Sequence, residues 1–290
     1  MESNFLTTVF LPLALFIVMF GMGLGLTLDD FKRVFVEPKA VIVGLLAQLI
    51  LLPIVGLGLA TVFPLSPELA VGVMILVACP GGPTSNMIAY LIQGNVALSI
   101  TLTAISSLIT VFTIPLVVNL SMQNFIGQET ALQLPFIQTV IQIAVITLIP
   151  ISIGMVLHRY QAKFAAKVEK TVKWLSLFLL TLIIIGLLLK ERENVLSFFL
   201  QVGWVTLTLN IVMMVLGYNI ATFAKLDRPR AKSITIEVGI QNGTLAIAIA
   251  SSPTWLNLPT MAIPAAIYSL IMYPTSAAFG WFIKQQSQQQ

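Results

Sequence analysis

Of the eleven acidic residues in the 290-residue chain, Glu237 is the one that falls inside an apolar stretch. It opens the run Glu237-Val238-Gly239-Ile240-Gln241-Asn242-Gly243-Thr244, which sets a carboxylate beside two side-chain amides and two glycines. A charge near the centre of a bilayer costs at least about 2.5 to 3.5 kcal/mol on insertion scales, so a residue kept there is expected to serve a function. The competing reading puts Glu237 near the interface, five residues after Lys232 and within reach of a basic partner at about 1.5 Å of rise per residue. A second run, Cys79-Pro80-Gly81-Gly82-Pro83-Thr84-Ser85-Asn86, interrupts the apolar stretch that begins at Val71. Pro80 and Pro83 each remove a backbone donor, and paired glycines cost about 1 kcal/mol apiece in a helix, so helix cannot pass unbroken. Taken by itself this run fits a kinked span or a loop as well as it fits a site. Taken together the two runs say more, because freed carbonyls at such breaks bind cations and half-helix N-termini face anions.

Other chemistries are poorly supplied. The single cysteine, Cys79, cannot form an internal disulfide, and the single histidine, His158, cannot build a histidine-rich metal site. His158 has no evident nucleophile beside it and reads as an interfacial structural residue, so an enzyme is not expected.

The elements that hold these residues are set by lipid. Hydrophobic residues make up 58% of the chain and charged residues 9%, where a soluble domain carries about 25% charged. The mean hydropathy is +0.98. Apolar stretches of roughly 20 residues, long enough to cross about 30 Å of hydrocarbon, recur from end to end. They lack the alternation of a membrane β-barrel, which leaves helices. Nine spans are read at 5–28, 40–63, 69–94, 96–120, 136–158, 174–189, 197–223, 233–251 and 260–283. Met1 to Asn4 carry Glu2 and no Lys or Arg, so the basic start of a signal peptide is missing and the first stretch is expected to be a retained span. The Gln-rich end from Gln285 to Gln290 reads as a frayed tail.

Charge then orients the chain. With nine spans, the basic residues of the 29–39 loop, the loop after His158, the stretch 225–232 and the tail share one side, thirteen against Lys190 and Arg192 opposite. The positive-inside rule makes that side cytoplasmic, with the N-terminus outside and the C-terminus inside a cell (plasma or inner) membrane. The third and eighth spans, which carry the two breaks, then run in opposite directions, one in each half. That is the inverted-repeat pattern of secondary transporters, with a site near the midplane.

The residues that carry this pattern also carry a likeness. Met19-Phe20-Gly21-Met22-Gly23-Leu24, Cys79-Pro80-Gly81-Gly82 with Ser85-Asn86, Gly94-Asn95-Val96-Ala97-Leu98-Ser99 and Glu237-Val238-Gly239-Ile240-Gln241-Asn242 together resemble the bile acid:sodium symporter family, over nearly the full length. The resemblance implies an all-α polytopic fold of a panel and a core domain, with two crossed discontinuous helices. Bacterial relatives have ten spans in two inverted five-helix repeats, so the chain is expected to begin at their second helix, which again makes nine. Residues 1–290 form one transporter domain on this reading, with repeats at about 5–120 and 136–283.

The resemblance also implies the ligands. Sodium site 1 would use Ser85, Asn86, Ser99, Thr103 and Glu237; site 2 would use Gln48, Glu237, the backbone of Val238 and Ile240, and Gln241. Hard oxygen donors such as those of Glu237, Gln241 and Asn86 suit Na+ and no other metal is expected. Without the resemblance, Ser99 and Thr103 would read as hydroxyls bonded to the preceding turn, and Gln48 as an interhelical hydrogen-bonding residue. The substrate side, Pro83, Thr84, Asn242, Met272 and Tyr273, departs from the family pattern. Relatives commonly have Thr-Ala where this chain has Pro83-Thr84, and a bacterial relative has His-Asn where it has Met272-Tyr273. Pro83 can open the second half-helix and leave amides near Thr84, Ser85 and Asn86 directed at an anion.

The expected function is sodium-coupled symport of a small organic anion by alternating access. The solute would be a monocarboxylate, keto-acid or pantoate-like acid, with bile-acid-like solutes at the margin. Two Na+ are expected as coupling ions and no organic cofactor; the partners are the anion and the bilayer, with no nucleic acid and no obligatory protein. The rival reading, a uniporter or exporter related to arsenite carriers, would make Cys79 a thiol ligand, whereas a lone cysteine reads as a packing residue.

Overall fold

The computed structural model describes residues 6–127, 134–190 and 195–288. Among them no strand forms, and the one bridge outside helices pairs Gly81 with Gln241. The described part of the chain is all-helical, with helices long and apolar enough to cross a membrane.

Helix α1 (Leu11–Leu24), entered through a π-helical turn at Leu6–Phe10, stops at Gly25. A bend of 62° leads into α2 (Leu28–Val36). The expectation for Asp29 to Lys39 was a loop. It is helical because Thr27 and Asp30 close a capping box, in which the Thr27 amide and hydroxyl each donate to Asp30 Oδ2 at 2.7 Å. Phe31 and Val34 pack on the core while Phe35 and Val36 stay exposed, as on a helix lying at an interface. On its outer side, the hydrogen bond and charge of Lys32 hold the Asp29 carboxyl below the usual carboxylate range.

Pro38 starts α3 (Pro38–Leu46), which runs through a π-helical turn (Ala47–Leu51) into α4 (Leu52–Val62). The wide turn has a cause in Pro53, which has no N–H to return to the preceding turn. It carries Gln48, which is 1% exposed. Next come α5 (Pro67–Ala78), α6 (Ser85–Leu91) and α7 (Val96–Phe125). Residues 136–160 form α8 (Phe136–Tyr160) and, after Gln161, α9 (Ala162–Lys190). The span expected at 174–189 therefore starts twelve residues earlier, and the basic loop after His158 is helix. Ala165 and Val172 are buried on one face of this stretch, so it is amphipathic rather than irregular. The chain closes with α10 (Val195–Phe223), α11 (Arg228–Gly239), α12 (Gly243–Ser251), a 3-10 turn (Pro259–Ala262) and α13 (Ile263–Gln288).

Six described helices are long and apolar enough to cross a membrane, and seven if the bent α1–α2 pair is one span. The two interrupted stretches fall short as continuous helices: α5 has 12 residues and α6 has 7, α11 has 12 and α12 has 9. The expected count of nine is thus not reached by helix length, because Pro and Gly divide the third and eighth stretches.

Helix α1 packs mainly on α8 and α9, while α3 to α7 and α10 to α13 pack largely on one another. At the α1–α8 contact a side chain on Gly154 would come within 2.6 Å of the Phe20 carbonyl, so the two backbones meet through small residues. Large apolar residues such as Leu13, Ile54, Phe112 and Trp204 face outward, where lipid covers them. The broken stretches occupy the middle: from Ala231 to Ser252 every residue is buried.

Candidate functional site

The two breaks meet. Gly82 N–H donates to the Ile240 carbonyl at 2.8 Å, and Asn242 N–H donates to the Pro80 carbonyl at 3.0 Å. Two interrupted helices thereby satisfy each other's freed backbone groups where lipid offers no partner. The approach needs residues without side chains. A Cβ on Gly81 would fall on the Glu237 carboxylate, and one on Gly82 would lie 2.9 Å from the Gln241 carbonyl. The carbonyl end of α11 is closed from outside the break: Gly239 O accepts from Asn210 Nδ2 at 2.7 Å and from the Tyr268 hydroxyl at 2.9 Å.

Glu237 lies one turn before this crossing and is fully buried. Its Oε2 accepts from Ser85 Oγ at 2.9 Å and Ser99 Oγ at 3.1 Å, and its Oε1 accepts from Thr103 Oγ1 at 2.6 Å. Ser99 and Thr103 reach the same carboxylate because residues four apart share a helix face. Lys232, the basic neighbour that the interfacial reading would pair with Glu237, bonds instead to the Ile92 carbonyl. Four of the five residues expected for the first cation site are together. The fifth, Asn86, has a buried Oδ1 with no hydrogen-bond partner and lines a neighbouring cavity.

Of the residues expected for the second site, Gln48, Gln241 and the Val238 carbonyl are joined by hydrogen bonds, while the Glu237 side chain is taken up by the first cluster. Gln48 Nε2 donates to Gln241 Oε1 at 2.8 Å, and Gln241 Nε2 donates to the Val238 carbonyl at 3.0 Å. Gln48 Nε2 also reaches the Cys79 carbonyl at 3.3 Å, a partner that sequence reasoning missed. The Ile240 carbonyl is engaged by Gly82. The first cluster is built of carboxylate and hydroxyl oxygens and the second of amide and carbonyl oxygens, both kinds suited to a hard cation. A hydroxyl that now donates can rotate and present a lone pair, so the side chains of the first cluster can offer oxygens to a cation.

Pro83, Thr84, Asn242, Met272 and Tyr273, expected on the substrate side, line one pocket of about 30 Å³. The Thr84 and Tyr273 hydroxyls are 3.4 Å apart. Asn242 caps α12 by accepting from Leu245 N–H at 3.0 Å, and its Nδ2, buried in a residue 2% exposed, has no partner. Beyond Pro83, Thr84 and Asn86 opens a cavity of about 620 Å³. Its far wall was not read from the sequence: His158 at the end of α8, and Glu169, Lys170, Lys173 and Trp174 on α9. The signal was the i, i+4 spacing of Glu169 and Lys173, which only a continuous helix would use. His158 Nδ1 lies 2.5 Å from the Leu24 carbonyl, at the end of α1.

The sequence profile of the Sodium Bile acid symporter family matches residues 12–198. The chain is 35% identical over 262 residues to the "uncharacterized sodium-dependent transporter YocS" of Bacillus subtilis (strain 168), covering 90% of this chain and 78% of that protein. It is 28% identical to the "probable sodium/metabolite cotransporter BASS2, chloroplastic" of Oryza sativa subsp. japonica, over 96% of this chain but 65% of the rice protein, less than two thirds of its length. To the ileal sodium/bile acid cotransporter of Cricetulus griseus it is 30% identical, over 89% of this chain and 76% of that protein. A profile spanning most of the chain, together with these relatives, establishes that the chain belongs to the sodium bile acid symporter family, a family of sodium-dependent transporters and not of enzymes.

Proposed function

We propose that the chain is a secondary symporter that couples two Na+ to the uptake of a small organic anion by alternating access about the crossed breaks. The observation that carries this reading is the fully buried Glu237 carboxylate ringed by Ser85, Ser99 and Thr103. Site 1 is completed by Asn86, whose orphan Oδ1 is an acceptor in need of a positive partner. Gln48, Gln241 and the backbone of Val238 and Ile240 form site 2, which also draws on Glu237. The solute's acid group takes the orphan Nδ2 of Asn242 and the hydroxyls of Thr84 and Tyr273, with Pro83 and Met272 shaping the pocket. Filling the cation sites brings positive charge beside that pocket, so cation and anion favour each other's binding.

On this reading α1, α8 and α9 belong to the panel and the remaining spans to the core. The N-terminal helix and the two broken pairs, added to the six long helices, make nine spans in one transporter domain with repeats at about 5–120 and 136–283. The N-terminus lies outside and the C-terminus in the cytoplasm of a cell membrane. The solute is a small carboxylate, with monocarboxylates, keto acids and pantoate-like acids as the first to try. The deciding experiment is uptake of a panel of labelled carboxylates into proteoliposomes, with and without an inward sodium gradient. Accumulation of none of them, or equal accumulation without sodium, would remove the symport reading.

Two sets of substitutions probe the site further. In Gln48→Ala the second cluster loses its bonds to Gln241 and to the Cys79 carbonyl. Sodium activation should then lose its sigmoid shape, while apparent solute affinity at saturating sodium changes by less than about threefold; an unaltered activation curve would make Gln48 purely structural. Single cysteines at Thr84, Asn242 and Tyr273, in a Cys79→Ser background, should react with small polar thiol reagents and be protected by sodium plus solute. Slow labelling at all three, indifferent to either ligand, would rule out a shared aqueous cavity.

A further inference from the structure

The cavity of about 620 Å³ carries its ionic side chains on one wall. Glu169, Lys170 and Lys173 from α9 and His158 from α8 stand there, opposite Pro83, Thr84, Met87 and Ile100. Lys173 Nζ is 2.5 Å from Glu169 Oε1, and these side chains are 41% and 22% exposed. One carboxylate thus faces two ammonium groups, which leaves the wall net positive. The cavity adjoins the small pocket at Asn242, with Val18, Pro83, Thr84, Ser176 and Leu177 lining both. Helix α9 measures the interval: Lys173 lines the outer cavity and Leu180 the inner pocket, seven residues or about 10 Å of helix rise apart.

Resting on the symport reading above, we infer that Lys173, poised by Glu169 and assisted by Lys170, receives a second anionic group at the distal end of the solute. The transporter would then select an organic dianion whose two acids are separated by four to six methylene carbons, a length that fits within the interval of about 10 Å along α9. The near acid sits at Asn242, Thr84 and Tyr273. Its distal acid accepts from a second N–H of Lys173 while Glu169 keeps the first, with Lys170 adding positive charge in a partly desolvated cavity. If the lysines serve only to face lipid headgroups, they will not discriminate between solutes.

The test is calorimetric titration of the purified full chain in saturating sodium with adipate and suberate. Each is compared with its partner of equal carbon count in which CH2OH replaces the distal carboxylate, 6-hydroxyhexanoate and 8-hydroxyoctanoate. The diacids should bind at least about tenfold more tightly than the hydroxy acids, the scale of one hydrogen bond to a charged group. Lys173→Gln should erase that ratio by weakening the diacids alone, Lys173→Arg should keep it, and Glu169→Gln should raise it. Equal affinity of diacid and hydroxy acid in the unmodified protein, or a ratio unchanged in Lys173→Gln, overturns the distal site and leaves the symport reading intact. Failure of all four acids to bind also overturns the distal site, while the symport reading stands or falls on the uptake panel.

Discussion

Glu237→Gln should reduce sodium-dependent uptake to the sodium-independent background, a loss of at least about a hundredfold. The substitution keeps the size of the side chain and lets an amide take up some of the bonds from Ser85, Ser99 and Thr103, so the helices should still assemble. What it removes is the negative charge that offsets a cation in a buried site. An uncompensated charge at that depth costs about 2.5 to 3.5 kcal/mol or more, and each 1.4 kcal/mol is a factor of ten in affinity. No second acid stands in the described part of either cluster to take its place. The check is initial uptake rate against sodium concentration in proteoliposomes, beside a size-exclusion profile showing that the variant is monodisperse. Glu237→Asp should recover part of the activity by restoring the charge at a shorter reach. Normal sodium activation of Glu237→Gln would sink the assignment of the carboxylate as a cation ligand.

Gly81→Ala should be nearly as damaging, although it adds a single methyl group. That methyl would lie on the Glu237 carboxylate, at the point where the two breaks exchange backbone hydrogen bonds. Either the carboxylate swings away from its three hydroxyl donors or the bridge between Gly81 and Gln241 opens. Overpacking of this kind costs about 1 to 3 kcal/mol, and both ways of relieving it spoil the cation cluster. We expect a lower melting temperature and a loss of sodium-dependent uptake of tenfold or more. Gly58→Ala supplies the control: its added methyl meets no atom within 4 Å, so it should melt and transport like the unmodified chain. A Gly81→Ala protein that behaves like the Gly58→Ala control would mean that the crossing is looser than its hydrogen bonds indicate.

Local chemistry made part of this legible from the residues alone. Hydropathy and the scarcity of charge settled that lipid is the solvent, because each residue's transfer cost is its own and needs no partner. Prolines and glycines at 80–83 and 239–243 located both breaks, since a missing N–H or Cβ acts within one turn of its position. Glu237 stood out for the same reason, as a charge whose burial cost no neighbour in sequence could offset. Polar residues near the membrane boundary misled: 29–36 and 162–173 read as loops, yet both are helical. A helix can continue through an interface if its long charged side chains reach water, and a hydropathy average cannot distinguish that from a loop. Pairing was decided by the tertiary structure. The donors to Glu237 lie 152, 138 and 134 residues away, and nothing local in Ser85, Ser99 or Thr103 says that they share one carboxylate. The closure of Gly239 by Asn210 and Tyr268, and the charged wall from Glu169 to Lys173 facing Pro83 and Thr84, arise the same way. Such contacts depend on how whole helices stack, and that is set by the sum of many small packing terms distributed along the chain.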